Sequence, residues 1–195
     1  TQICVSNGAK QSIINVLSAI INDGDEVILP APYWVSYDEM VKLVGGTSVF
    51  IQTSIDTEFK ITAEQLEKAI TPKTKALLYS SPCNPSGSYY TGEELEAIAN
   101  VIAKYPDITI ISDEIYEFIN YEGKHVSIAS FPQVYEQTAV INGMSKAFAM
   151  TGWRIGYSAC PEWLAKACDK VQGQMTSGAN TVAQRASITA MQMDP

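Results

Sequence analysis

The sequence predicts an α/β protein, a mostly parallel sheet covered on both faces by helices in a three-layer α/β/α arrangement. Three observations carry this. Short apolar runs alternate with longer segments whose apolar residues recur at helical spacing, along all 195 residues. Turn chemistry separates them, and no repeat, low-complexity tract or linker divides the chain, so residues 1–195 read as one domain. A hydrophobic share of 46% with a charged share of 17% is ordinary for a globular domain with a sizeable core.

The elements follow in order. KQSIINVLSAIIN (10–22) has helical spacing and ends at the turn DGDE, which leads into the short apolar strand EVILP (26–30). WVSYDEMVKLVGG (34–46) is helical with a glycine stop, and TSVFIQ (47–52) reads as a strand. TAEQLEKAI (62–70) opens with Thr62 and Gln65 in capping-box spacing. TKALLYS (74–80) is an apolar strand that runs into SPCNPSG, a turn. TGEELEAIANVIAKY (91–105) is an amphipathic helix, and ITIISDE (108–114) a buried strand that ends in acids. TAVING (138–143) and WRIGYSA (153–159) are further strands, and two helical segments follow.

Composition excludes several classes of function. A net charge of −8 argues against an electrostatic footprint for nucleic acid or an anionic membrane. No apolar run approaches the ~20 residues of a membrane span, and no secretory leader is expected. Cys4, Cys83, Cys160 and Cys168 form no CxxC pair, which fits reduced thiols in a cytoplasmic protein. His125 is the single histidine, so a Ser-His-Asp triad or a zinc site would rest on that residue alone, and no metal is expected. The chain starts at Thr1 and stops inside a helical run, and so reads as a piece of a longer protein.

In parallel sheets ligands lie beyond the carboxyl ends of the strands. Four strands deliver polar residues there or open on one: Asn84; Asp113, Glu114 and Tyr116; Ser145 and Lys146; and Arg154. The stretch SKAFAMTGWRIGY (145–157) sets two cations, Lys146 and Arg154, among small and apolar residues. Such cations are costly unless a partner or a covalent bond removes the charge. Upstream, SNGAKQ (6–11) is a glycine-bearing loop that opens a helix. Together these parts suit a cofactor with a phosphate, a protonatable ring and a carbonyl. Backbone N–H groups of Gly8, Ala9 and Lys10 at a helix start favour an anion. Arg154 adds a bidentate, permanently charged grip. A desolvated amine sheds its proton more readily and then attacks an aldehyde, which suits Lys146 to a Schiff base. A buried carboxylate at Asp113 would keep a pyridine nitrogen protonated. Trp34 in APYWVSY can stack on the ring. Each residue also has a plainer role open to it, as loop glycine, cap, core aromatic or surface lysine. The weight lies in the combination and its order.

These segments resemble the fold-type I pyridoxal-phosphate enzymes, and among them the class I aminotransferases. SKAFAMTGWRIGY is similar to that family's lysine-to-arginine signature, SPCNPSG to its Asn-Pro-x-Gly turn, and SDEIYE to its Asp-x-x-Tyr. APYWVSY and NGAKQ resemble its ring-stacking and phosphate-cup segments, and all five arrive in the family's order. The resemblance implies the large cofactor-binding domain of that fold, with pyridoxal 5'-phosphate as cofactor. It implies Lys146 as Schiff-base lysine and proton carrier, with Asp113 on the ring nitrogen. Tyr116 and Asn84 would hydrogen-bond the ring's phenolic oxygen, Asn84 also lying near the substrate carboxylate. Trp34 would stack on the ring. Gly8, Ala9, Lys10 and Arg154 would hold the phosphate. Ser145 is a further candidate for the phosphate, because the place three before the lysine, where some class I enzymes carry a phosphate-binding serine, is Gly143.

Within the class the details resemble the bacterial-type aspartate aminotransferases, where the cup lysine reads an acidic substrate's distal carboxylate. That implies an amino acid and a 2-oxo acid as substrates, aspartate and 2-oxoglutarate first, with Lys10, Trp34 and Asn84 at the substrate, and a homodimer. An N-terminal segment and a C-terminal small domain of the family have no counterpart in the chain, so the piece alone is expected to be inactive. An aromatic-, prephenate- or alanine-type aminotransferase is the alternative within the class, and a non-catalytic effector-binding module the alternative outside it. A nucleotide-binding domain is a poor third, since no G-x-G-x-x-G follows a strand.

Overall fold

The computed structural model describes residues 1–121 and 123–193. It contains strands β1 (Ile3–Ser6), β2 (Glu26–Ala31), β3 (Thr47–Gln52), β4 (Thr74–Ser80), β5 (Thr109–Asp113), β6 (Thr138–Gly143) and β7 (Gly156–Ala159). Its helices are α1 (Ala9–Ile20), α2 (Ser36–Leu43), α3 (Ala63–Ala69), α4 (Gly92–Ile102), α5 (Glu162–Met175) and α6 (Thr181–Ala190). The strands form one sheet in the order β1-β7-β6-β5-β4-β2-β3. The pairs β2–β3, β2–β4, β4–β5 and β5–β6 are parallel, whereas β7 runs antiparallel to both β6 and β1.

Local chemistry sets several boundaries. Thr62 and Gln65 form the expected capping box at α3, and Thr91 with Glu94 forms a second at α4. The side chains of β2, β4 and β5 then alternate between two cores, as a period of two requires. Val27, Leu29, Leu78 and Ile111 pack on one face with residues of α1, α2 and α5. Ile28, Leu77, Tyr79 and Ile110 pack on the other with residues of α3 and α4. Apolar runs in these strands therefore signal burial on both sides, and the three-layer expectation is met. No helix among the described residues is long and apolar enough to cross a membrane.

Two local readings change. The edge strand β1 carried no periodic signal strong enough to be predicted. The strand expected over 153–159 begins only at Gly156. Before it, Thr151–Trp153 is a short 3-10 helix and Arg154 is left-handed, with φ 52°. Arg154 thus belongs to a turn above the sheet, and ladder pairing starts where Gly156 meets Gly143 and Ser6.

That meeting is tight. A β-carbon at Gly156 would lie 2.8 Å from Ala9 Cα and collide with Ala9 N and Gly8 C, where the chain enters α1. The atoms in the way are backbone and cannot swing aside. Gly156→Ala should therefore destabilise the fold by about 1–3 kcal/mol through overpacking, read from urea denaturation; an unchanged midpoint would remove this contact as a constraint.

Candidate functional site

The carboxyl ends of β4, β5 and β6 and the start of α1 surround a cavity of about 350 Å³. Ala9, Lys10, Trp34, Asn84, Asp113, Tyr116, Ser145, Lys146 and Arg154 all reach it. The remaining predicted residue, Gly8, is buried beneath Arg154: a β-carbon there would strike the guanidinium. Its φ of 89° also suits glycine, so both conformation and space require it. The structure thus gathers residues from 8 to 154 of the chain at one place.

One end of the cavity is built for an anion. No side chain caps α1 and no acidic residue lies in its first turn, so the helix start presents its positive end without a protein anion to meet it. The Arg154 guanidinium lies over it, donating through Nη1 to Thr151 O at 2.8 Å and through Nη2 to Asn7 O at 3.5 Å.

The floor is Asp113, the last residue of β5 and 4% exposed. Its Oδ2 accepts from Tyr37 Oη at 2.6 Å and its Oδ1 from the Ile115 amide at 3.2 Å. Burial pushes its carboxyl up to about 6, opposed by those two hydrogen bonds and by the charge of Lys146 and aided by that of Glu114. Tyr37 itself is held well above its ordinary value by burial and by the Asp113 charge, so its hydroxyl stays a donor.

Trp34 packs edge-on against Tyr37, ring centroids 5.5 Å apart, and Lys10 Nζ stands 4.7 Å from the Trp34 centroid. Lys146 Nζ lies 5.5 Å from the centre of the Tyr116 ring. Ser145 is buried at the cavity wall and Asn84 is half-buried in the turn after β4. One expectation is corrected here. Lys146 and Arg154 were read as cations in an interior stretch, but both are exposed, because the cavity mouth is open on their side. Their neighbours Met144, Met150 and Ile155 supply the apolar signal by packing beneath them against α6.

A family model for aminotransferase class I and II matches residues 1–195. The chain belongs to this family. A bifunctional aspartate and glutamate/aspartate-prephenate aminotransferase of Petunia hybrida is 50% identical over 191 residues, 97% of this chain and 40% of that protein. The crystal structure of an aspartate aminotransferase from Rhizobium meliloti superposes with a TM-score of 0.97 at 42% identity, covering 99% of this chain and 49% of the other. An aspartate aminotransferase from Thermus thermophilus, solved with maleate, gives 0.93 at 45% identity, over 97% and 49% of the two chains. The chain thus spans about half the length of these relatives.

The cavity includes residues that sequence reasoning passed over. Tyr37, Ser80, Ile115 and Thr151 line the same cavity. Ser80 Oγ is buried there without a hydrogen bond of good geometry among the described residues. Tyr37 lies three residues past Trp34 in the quoted segment, but nothing in that spacing says that it reaches a carboxylate 76 positions away.

Tyr37→Phe should raise the Asp113 carboxyl further, since it removes a bond that favours the charged form. A raised carboxyl adds stability below its unfolded value near 3.9 that is lost as pH climbs through about 6. The variant should therefore lose about 2 kcal/mol well above pH 6 and much less below pH 6. Denaturation midpoints at pH 5 and pH 8 check this, and an equal loss at both would rule out the Asp113 linkage.

Proposed function

We propose that this chain is the large cofactor-binding part, residues 1–195, of a pyridoxal 5'-phosphate-dependent aminotransferase. The observation that carries the reading is the convergence, on one cavity, of three groups matched to three parts of that cofactor. The uncapped start of α1 with Arg154 suits the phosphate. Asp113, already oriented by Tyr37 and the Ile115 amide, suits the ring nitrogen. Lys146 at the open side suits the aldehyde carbon. The Ser80 hydroxyl adds a buried polar atom facing the same space. The residues fit the group.

Pyridoxal phosphate would supply an electrophilic carbon for the substrate amine and a ring that delocalises the electrons freed at Cα. The protein does the rest. Lys146 Nζ would hold the cofactor through its aldehyde carbon and would carry the proton of the substrate's Cα. Asp113 would lie against the ring nitrogen, where a facing cation would favour its ionised form. Tyr116 and Asn84, which line the cavity, would offer donors at the ring edge, and Trp34 would bound one side. Gly8, Ala9, Lys10 and Arg154 would anchor the phosphate, with Ser145 as a further candidate donor, and so would keep the reacting carbon beside Lys146.

For substrates the reading is an amino acid and a 2-oxo acid, aspartate and 2-oxoglutarate first. Lys10 supports it: it is exposed at the mouth beside Trp34, where a second carboxylate could meet its ammonium. A prephenate-type acceptor is the second reading, supported by the name of the Petunia relative. The intact protein is read as a cytoplasmic homodimer. Four free cysteines support the reducing compartment, and exposed Trp153 and Val182 beside Arg154 support a covered face.

With pyridoxal phosphate added, the intact protein should develop the visible band of a lysine-bound cofactor, and Lys146→Ala should lack it. A band that survived in that variant would move the attachment to another lysine. Lys10→Met should lower kcat/KM for aspartate roughly 10- to 100-fold, the worth of one charged hydrogen bond, while an uncharged amino donor is spared. Unchanged aspartate turnover would remove the acidic-substrate argument.

A further inference from the structure

The segment that carries Tyr116 into the cavity is held from behind by a second buried polar cluster, which the transamination reading leaves unused. Glu114 follows Asp113, and its carboxylate turns away from the cavity to the opposite side of the strand end. It is 3% exposed and accepts from Ser112 Oγ at 2.9 Å and Ser127 Oγ at 2.7 Å. His125 Nε2 lies 2.9 Å from its Oε2. The backbone of Glu114 is fixed as well: its amide donates to Ile141 O at 2.8 Å and its carbonyl accepts from the Glu117 amide at 2.9 Å. Glu117 Oε1 accepts from Asn142 Nδ2 at 2.8 Å, and the Ile119 amide closes on Tyr116 O at 2.8 Å. His125 and Ser127 therefore fold the loop after β5 back onto the turn that presents the Tyr116 ring to Lys146.

We propose that Glu114 and His125 form an ion-paired clamp that positions Tyr116, making both of them positioning residues for the reaction at Lys146 and giving that reaction a limb on the alkaline side. The inference rests on the aminotransferase reading. Neither residue lines the cavity, so the effect travels through the hydrogen-bonded turn from Glu114 to Ile119.

The electrostatics agree in sign. Burial opposes a charge on His125, but its hydrogen bond to Glu114 and the charges of Glu114 and Glu117 outweigh it, and its pKa is raised. A raised histidine contributes stability that is fully present below its unfolded value of about 6.5 and is lost as pH rises through the folded one. The other titratable groups facing the cluster fall outside that interval or on its acid side. Tyr79, joined through Ser112, is pushed well above 10 by burial, and Tyr157 is pushed up to about 12 by burial and the two glutamates. Glu117 is raised from its ordinary carboxylate value by burial, and Asp113 titrates near 6.

The experiment uses the intact protein loaded with pyridoxal phosphate, with His125→Gln and Glu114→Gln, which keep hydrogen-bonding shape without the charge pair. The visible band of the lysine-bound cofactor should persist in both, while kcat/KM falls roughly tenfold or more. The alkaline limb of the wild-type kcat/KM profile should flatten. The loss of stability as pH rises above about 6.5, read by urea denaturation without cofactor, should disappear with it. Unchanged pH profiles, or a uniform stability loss with the profile intact, would overturn the clamp. Absence of the visible band in the wild-type protein would instead overturn the aminotransferase reading, so the two failures are distinguishable. Should either variant fail to fold, the other carries the same readouts.

Discussion

A carboxylate buried at the floor of the cavity is the constraint on which the rest of this structure turns. Asp113 sits at the end of a central strand, where the sheet and two helical layers exclude water. Leaving it there charged and unpartnered would be costly. Tyr37, from α2, and the Ile115 amide each donate to one oxygen. Even so its carboxyl stands near 6, so the site favours a cation above it. Cofactor orientation, in the reading offered above, follows from that unmet preference.

The next residue solves the opposite problem. Successive side chains at a strand end diverge, so Asp113 and Glu114 point to different surroundings despite being adjacent. Glu114 is saturated by two hydroxyls and an imidazole, whereas Asp113 keeps capacity for a ligand. One acid is structural because its acceptors are filled within the protein. The other is available because they are not.

At the far end, geometry replaces charge burial as the organising term. Gly8 and Gly156 let the start of α1, strand β7 and the Arg154 guanidinium come within contact of one another. The left-handed Arg154 backbone turns its side chain back over α1 instead of letting it continue along the strand. The anion grip therefore depends on two missing β-carbons as much as on the cation.

Periodicity and turn chemistry determined the strand and helix order, the capping box at Thr62 and the two-sided burial of the sheet, because each depends on neighbours within a few residues. The motif order also determined which side chains would meet: nine of the ten candidates line one cavity, and Gly8 lies directly under Arg154. Tertiary structure alone decided the partnership of Tyr37 with Asp113, the collision zone at Gly156 and the turn that holds Arg154. It also revealed that Lys146 and Arg154 stand at an open mouth while the apolar residues between them pack below. It gave His125, dismissed as a triad or metal residue, a partner in Glu114. These features share one physical reason. Each is a contact between segments far apart in the chain, or between backbones whose approach leaves no periodic trace, and only the folded chain brings such atoms within bonding distance.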